Sequence, residues 1–586
     1  MAMAAATGSA GVTGALASSR QGAAVSRISS HKCFVPVNFA AQRFRATGKG
    51  IGNFVIRLEF ALGFFMPGLL ERWLNGWYGQ LGVGTRATIA EAVKSEASGA
   101  VSGSLRDQAE ASFSLSKDPG GPDFFLLDLA EKLENSVPSE EQGDSLGARA
   151  LAELRYKSAE QALNLRWPTN KDEAYRFTDV RFLKNLDIAP TPAQPASVPN
   201  FESELGLGET EAFRLVFVDG VISESLSKVE GLSGGAYVGS VCKITADSAG
   251  SALSQALEYL GKPAAGTQDD LFTFLNGLGV QDAGLVFAPK GVQLSKPIHV
   301  VYYSTGRGGS KDGEEVTSIS LATPRLLVVA ESGARVEIIE QFVGAPDQVY
   351  WTNQVCEIYV ANGAEVSHSC SQEQERSAVH IKQTHVSQGE KSTYKLVEAE
   401  VGGRLSRHNL QVIQLGSDTQ TEFSTFSLSS KRQVQDLHSR LVLDHPRGIS
   451  RQIHKCIVTH RLGQAVFDGN VKVNRFAQQT DAGQLSRSLL LAQGATVNVK
   501  PNLQIIADDV KCTHGAAISD LEEEQLFYFQ ARGIDPLTAR SALVFSFGAE
   551  VLQSFGNDYL KKRLERLVKS SLATDGVVNP NVPVGQ

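Results

Sequence analysis

Near the C-terminal end of the 586-residue chain, the stretch Asp508-Asp-Val-Lys-Cys-Thr-His-Gly515 places a cysteine and a histidine two residues apart. In an extended strand, residues at i and i+2 point to one face. Cys512 and His514 would therefore project together. A thiolate and an imidazole suit zinc, iron or an iron–sulfur cluster. Two ligands leave such a site incomplete, so the others must come from elsewhere in the fold or from a partner chain. The same spacing occurs at His368-Ser-Cys370 and His454-Lys-Cys456. Three such pairs exceed random placement of 11 His and 6 Cys in this length. Spacing does not rank them, because buried cysteine also acts as a small hydrophobe and histidine as a satisfied core residue.

Other chemistry is missing. There is no GxxxxGK[ST], GxGxxG, HExxH or GxSxG segment, so the sequence carries no phosphate-binding loop and no recognised hydrolase elbow of its own. Six cysteines at 33, 242, 356, 370, 456 and 512 include no CxxC, which argues against a disulfide framework and a self-contained four-cysteine site. A net charge of −7 gives no nucleic-acid footprint.

The elements that would position the pair are β-rich. From about 284 to 519, short runs of Val, Ile and Thr are broken by Gly, Asn and Ser. A turn-plus-strand unit recurs at Ser332-Gly-Ala-Arg-Val336, Asn362-Gly-Ala-Glu-Val366 and Gln493-Gly-Ala-Thr-Val497, with glycine at an expected φ > 0 position. This repetition predicts a mainly β fold with a solenoid core, most simply a β-helix. A two-sheet sandwich is the alternative, but its usual size is about 100 residues.

Flanking regions read as helical. Apolar spacing predicts helices at 124–133 and, in an N-terminal mixed region of 141–283, at 146–165, 251–260 and 269–278. Within it, Phe213–Ile222 reads as a hairpin turning at Asp219-Gly220. At the C-terminus, Asp520 is expected to cap one helix that Gly533 ends, and Asp535-Pro536 to open a second. A third is expected over 549–569, with Leu560, Leu564, Leu567 and Val568 on one stripe and a basic face beside it. Residues 520–570 form the expected C-terminal helical region, followed by a disordered tail, 571–586.

The N-terminus reads as a targeting segment. Met1–Arg57 contains no Asp or Glu and is rich in Ala, Ser and Gly, with Arg20, Arg27, Arg43 and Arg45 spaced along it. Residues 1–46 are assigned as an organellar transit peptide, plastid by composition, with the mitochondrial matrix as the alternative. Residues 47–140 read as an extension and linker. Its apolar run Phe60–Leu70 is too short for a bilayer, which needs about 20 residues.

Several segments resemble one family. Gln478–Leu491, Lys500–Gly515 and Leu521–Ile534 are similar to the SufB/SufD family of iron–sulfur cluster assembly proteins. The Lys-Cys-Thr-His-Gly form is similar to SufD, plastid SufD above all, rather than SufB. Pro168–Thr178 and Phe272–Asn276 resemble the SufD N-terminal part. The resemblance covers roughly 145–570. It implies a right-handed parallel β-helix flanked by helices, and a scaffold assembled with a SufB-like paralogue and the SufC ATPase. It implies that a histidine at the position of His514 works at the SufB interface with a SufB cysteine in building a transient cluster, with Cys512 beside it. It implies that the C-terminal helices dock SufC, so ATP hydrolysis would lie in that partner and this chain would not be an enzyme. Nothing in the sequence assigns a flavin. A carbohydrate-active β-helix enzyme is the alternative; it would need clustered acids, whereas Glu337, Glu340 and Glu365 are scattered.

Overall fold

In a computed structural model, residues 123–576 are described except 138–144, 163–164, 193–197, 199–200, 208–210, 247–249 and 308–315. The expected transit peptide, the apolar run at 60–70 and the linker at 97–122 lie outside the described residues.

The protein is mainly β. Its core is a parallel solenoid whose strands alternate between two facing sheets. One sheet runs from Ala283–Ala288 through Arg325–Ala330, Tyr350–Val360, Val379–Gln388, Leu405–Gln414, Val434–Leu443 and Gln464–Val473 to Thr496–Ile505. The other runs from Phe213–Val218 through Ile298–Ser304, Arg335–Gly344, Glu365–Gln372, Thr393–Glu400, Gln420–Ser429, Ile449–Val458 and Asp481–Leu490 to Lys511–Ser519. Each coil adds one strand to each sheet, and each strand pairs in parallel with the strand one coil away. Two sheets do face one another, as in the sandwich alternative, but the parallel pairing makes the fold a solenoid.

Glycine turns set several corners of the coils, early and late. Gly333, Gly363 and Gly494 have φ of 72°, 67° and 86°, as the recurring unit predicts. At other corners the left-handed residue is Lys391, Arg432, Arg447 or Gln479, which leaves no glycine mark in the sequence. Asp219 and Gly220 both have positive φ and close the expected hairpin. Its first strand pairs in parallel with Ile298–Ser304, so the solenoid begins well before the expected residue 284.

Several strands, among them Ile298–Ser304, Arg325–Ala330 and Val379–Gln388, are buried on both faces, which is why their sequences do not alternate cleanly. Val336, Ile358, Val366, Tyr394, Leu410 and Val471 fill the space between the sheets. The outer face of the first sheet is covered by helices α1 (Phe124–Ser136), α2 (Leu146–Ala162) and, past the short helices α3 (Phe201–Leu205) and α4 (Ser251–Leu257), by α5 (Leu271–Gly279). Trp167 packs there between Phe125, Phe272 and Trp351. Helix α1 thus belongs to the fold, although residues up to 140 were expected to be an extension.

Three helices follow the last strand: α6 (Glu523–Gln530), α7 (Pro536–Leu552) and α8 (Asp558–Thr574). Asp535 caps α7 by accepting from the Leu537 and Thr538 amides. Three expectations are corrected. Glu522, not Asp520, is the N-cap of α6; Asp520 accepts from the adjacent Leu521 amide and pairs with Arg540 of α7. Residues 549–552 continue α7, and the break falls where Asn557 caps α8. Helix α8 runs to Thr574, so the expected tail starts too early.

The two ends of the solenoid differ. At the first end, short antiparallel strands finish the sheets: Val221–Ile222 on one and Tyr237–Ser240 on the other. At the last, Thr496–Ile505 and Lys511–Ser519 each have a neighbour on one side only. The first is mostly half-buried and the second largely exposed. Pro501 stands in mid-strand there, a place a proline tolerates only at an edge.

Candidate functional site

All three His–Cys pairs share a strand face, and in each case it is the face turned towards the space between the sheets. What surrounds them differs.

His368 is enclosed. Its Nε2 lies 2.8 Å from Glu340 Oε2 and its Nδ1 lies 2.9 Å from the Tyr394 hydroxyl. Lys382 pairs with the same Glu340 carboxylate and donates to Cys370 Sγ at 3.2 Å. Burial alone would raise the Glu340 carboxyl, but Lys382 and His368 outweigh it and hold it well below the ordinary range. Burial pushes the Cys370 thiol far up. This pair is bound into a satisfied internal network. His454 is also enclosed, with Nδ1 2.9 Å from Thr425 Oγ1 and its ring stacked on Phe467 at 4.6 Å. Burial lowers its pKa to about 4. Cys456 packs beside Val458 and Ala465, its thiol raised by burial.

Cys512 and His514 sit on the last strand. Cys512 is half-buried against the interior apolar cluster, and burial raises its thiol, so it is not a preformed thiolate. His514 is exposed. In register on the preceding strand are Ala482 and Gln484. The pair therefore stands at the open mouth of the interior, beside a depression of about 520 Å³ lined by Arg451, Asp481, Gly483, Leu485, Thr513 and His514. Among the described residues, no group of three or more His, Cys, Asp and Glu side chains is arranged to hold a metal. Cys512 and His514 supply soft and imidazole donors that suit iron or a cluster, but only two of about four positions.

The C-terminal helices are largely spent on their own solenoid. Tyr559, Leu560, Leu564, Val568 and Leu572 of α8, with Val544, Val551 and Leu552 of α7, pack on Phe426, Leu428 and Ile457. Arg563 pairs with Glu373, and Lys455 pairs with Glu550. The expected apolar stripe of α8 is thus covered. Helix α6 has no buried residue, and it presents Phe527 and Tyr528 at 70% and 54% exposure.

Sequence reasoning missed Gln452 and Gln484, which form a column with His514, and Gly469, which faces them from the other sheet. The coil repeat was the signal for the column, since both glutamines recur at one register position.

The fold is a parallel two-sheet solenoid whose last strand carries a half-buried thiol and an exposed imidazole. The description "SUF system FeS cluster assembly, SufBD core domain" matches residues 312–547, and "SufBD protein N-terminal region" matches 140–300. The chain is 46% identical to Protein ABCI7, chloroplastic, of Arabidopsis thaliana over 470 residues, 80% of this chain and 94% of that one. It is 36% identical to the iron–sulfur cluster assembly SufBD family protein slr0076 of Synechocystis, over 71% of this chain and 90% of that one. It is 28% identical to the iron–sulfur cluster assembly protein SufD of Escherichia coli, over 69% and 89%. The chain belongs to the SufBD family of SUF-system iron–sulfur cluster assembly proteins, and its relatives include SufD.

Among the described residues, no helix is long and apolar enough to cross a membrane.

Proposed function

We propose that this chain is the SufD-type scaffold subunit of a plastid SUF complex, joining a SufB-like paralogue at the open end of its solenoid. The nascent cluster is the cargo of that junction. His514 supplies an imidazole ligand, Cys512 stands beside it as a second donor or support, and the SufB-like chain supplies the rest. One observation carries this reading: the single accessible His–Cys pair among the three lies on an edge strand with a neighbour on one side only, two ligands short. An open strand edge is also where a second chain can extend a sheet. A SufC-like ATPase docks on the C-terminal helices and performs the ATP hydrolysis for which this sequence has no loop. Because α7 and α8 are packed on the solenoid, the exposed surface of α6 is the part free to receive it. The chain itself holds no complete active site. Similarity to a chloroplastic protein and the acid-free N-terminus support the plastid assignment and removal of about 45 residues on import.

The test is His514→Ala in the full chain, co-expressed with SufB-like and SufC-like partners and reconstituted with ferrous iron and sulfide. The expected complex assembles normally but holds no cluster. Normal cluster content in an assembled variant overturns the assignment, as does failure to assemble, which would make His514 structural. A complex recovered without the ATPase after Phe527→Ala/Tyr528→Ala would support α6 as its seat; unchanged recovery would exclude it.

A further inference from the structure

Gln484 is the in-register neighbour of His514 on the preceding strand, on the same inward face. Neighbouring strands lie about 4.8 Å apart, so the two side chains belong to one column. Gln484 is 4% exposed. Its amide is held from two directions. Nε2 donates to Gln452 Oε1 at 3.0 Å, and Gln452 in turn accepts from Ser439 Oγ at 3.2 Å. Across the interior, Gly469 leaves the space the amide occupies: a Cβ there would lie 2.3 Å from Gln484 Nε2. Glycine in a strand interior marks such a close approach. Two atoms of this column are left over, Gln452 Nε2 and Gln484 Oε1. Gln484 Oε1 is buried and has no hydrogen-bond partner in the fold. A buried acceptor is ordinarily satisfied, and the next member of its column is the His514 imidazole.

We infer that Gln484 is the positioning residue for His514, its Oε1 accepting the imidazole N–H so that the other ring nitrogen keeps its lone pair turned out of the mouth of the solenoid. A neutral imidazole has one N–H and one lone pair, and the hydrogen bond made by the first decides where the second points. The Gln452–Gln484 column fixes the amide, Gly469 gives it room, and Oε1 is the acceptor presented to the terminal coil. This inference rests on the reading of His514 as a cluster ligand.

The experiment uses the full chain in its complex, loaded with ferrous iron and sulfide, and the free full chain with ¹⁵N-labelled histidine. Gln484→Met keeps the length and removes the acceptor. It should reduce cluster content about ten-fold, as loss of an orienting partner does, with assembly and melting temperature unchanged. The ¹⁵N spectrum should show one protonated ring nitrogen at His514 in the parent chain and exchange between the two in Gln484→Met. The double variant with His514→Ala should lose no more than His514→Ala alone, and Gln484→Glu, which restores an acceptor, should recover cluster content. Full content and an unchanged tautomer in Gln484→Met would overturn the inference while leaving the His514 reading intact. Full content in His514→Ala would overturn that reading first, without any variant at 484. Should Gln484→Met fail to assemble, Gly469→Ala decides: it displaces the Gln484 amide without removing its acceptor, and an unchanged ¹⁵N spectrum there would also overturn the inference.

Discussion

The interior coil at His368/Cys370 and the terminal coil at Cys512/His514 use the same residue types, spacing and inward face. Their chemistry is opposite. In the interior coil a neighbouring strand on each side supplies Glu340 and Tyr394 to the histidine, and Lys382 of the facing sheet reaches the cysteine. In the terminal coil the column stops, and the exposed His514 has one in-register neighbour, Gln484. Spacing decides which face a side chain takes. The presence or absence of the next coil decides whether it is structural or available.

That contrast can be broken most severely from outside the coils. Deleting α8 removes Tyr559, Leu560, Leu564, Val568 and Leu572 from the cover of the second sheet. At about 2 kcal/mol for each buried side chain, the loss is about 10 kcal/mol, comparable to the whole stability of a domain. Such a truncated chain should expose apolar sheet and bind a hydrophobic dye at 25 °C; a native-like melting curve would show that the coils stand alone. Loss of ATPase binding in this variant would therefore say nothing about docking, which is why point changes on α6 are the sharper probe.

Inside the coils, Lys382→Met should cost about 3–5 kcal/mol, because it removes the cation that pairs with the fully buried Glu340. Urea unfolding would measure it; Glu340 also meets His368 at Oε2 and accepts from the Tyr302 hydroxyl and the Gln354 amide at Oε1, and a loss below about 1 kcal/mol would mean that these suffice. Acid should act on the interior too. Burial lowers His299 and His454 to about 4 and His380 and His385 to about 3. The unfolded chain protonates these rings below about 6.5 and the folded chain does not until near pH 3–4, so their contribution is present above about 6.5 and is lost as pH falls. Each adds about 1 kcal/mol of destabilisation per pH unit across that window. His454→Leu should flatten the stability–pH curve between pH 6 and 4 by one such slope; an unchanged curve would mean the ring is already protonated in the fold. At the bottom of the scale, His514→Ala should change stability by less than about 0.5 kcal/mol, as at exposed sites generally.

Much of the fold was legible because its repeats are marked by Ser-Gly-Ala and Asn-Gly-Ala turns and by caps such as Asp535-Pro536. The extent of the solenoid was less so. Corners at Lys391, Arg432 and Arg447 take a left-handed conformation without glycine, and strands covered on both faces lose the alternation that marks a half-buried sheet. Helix α1 escaped notice as part of the fold because its partners, Trp167 and Trp351, are distant in sequence. At the site, Cys512 and His514 were visible as a pair but indistinguishable from the other two, since burial is a property of the stacked coil. Gln484 carries no local motif, and only its register with His514 singles it out.

The unpaired final coil also bears on how the protein can be made. Rows of main-chain N–H and C=O groups along Thr496–Ile505 and Lys511–Ser519 are the kind of surface on which a further strand, or a further copy, adds. Pro501 interrupts one row, but the strand that bears Cys512 and His514 has no such break. If the proposed SufB-like chain covers this edge, a subunit synthesised in excess of it is an orphan with an adhesive end, and its safe concentration is set by the supply of that chain.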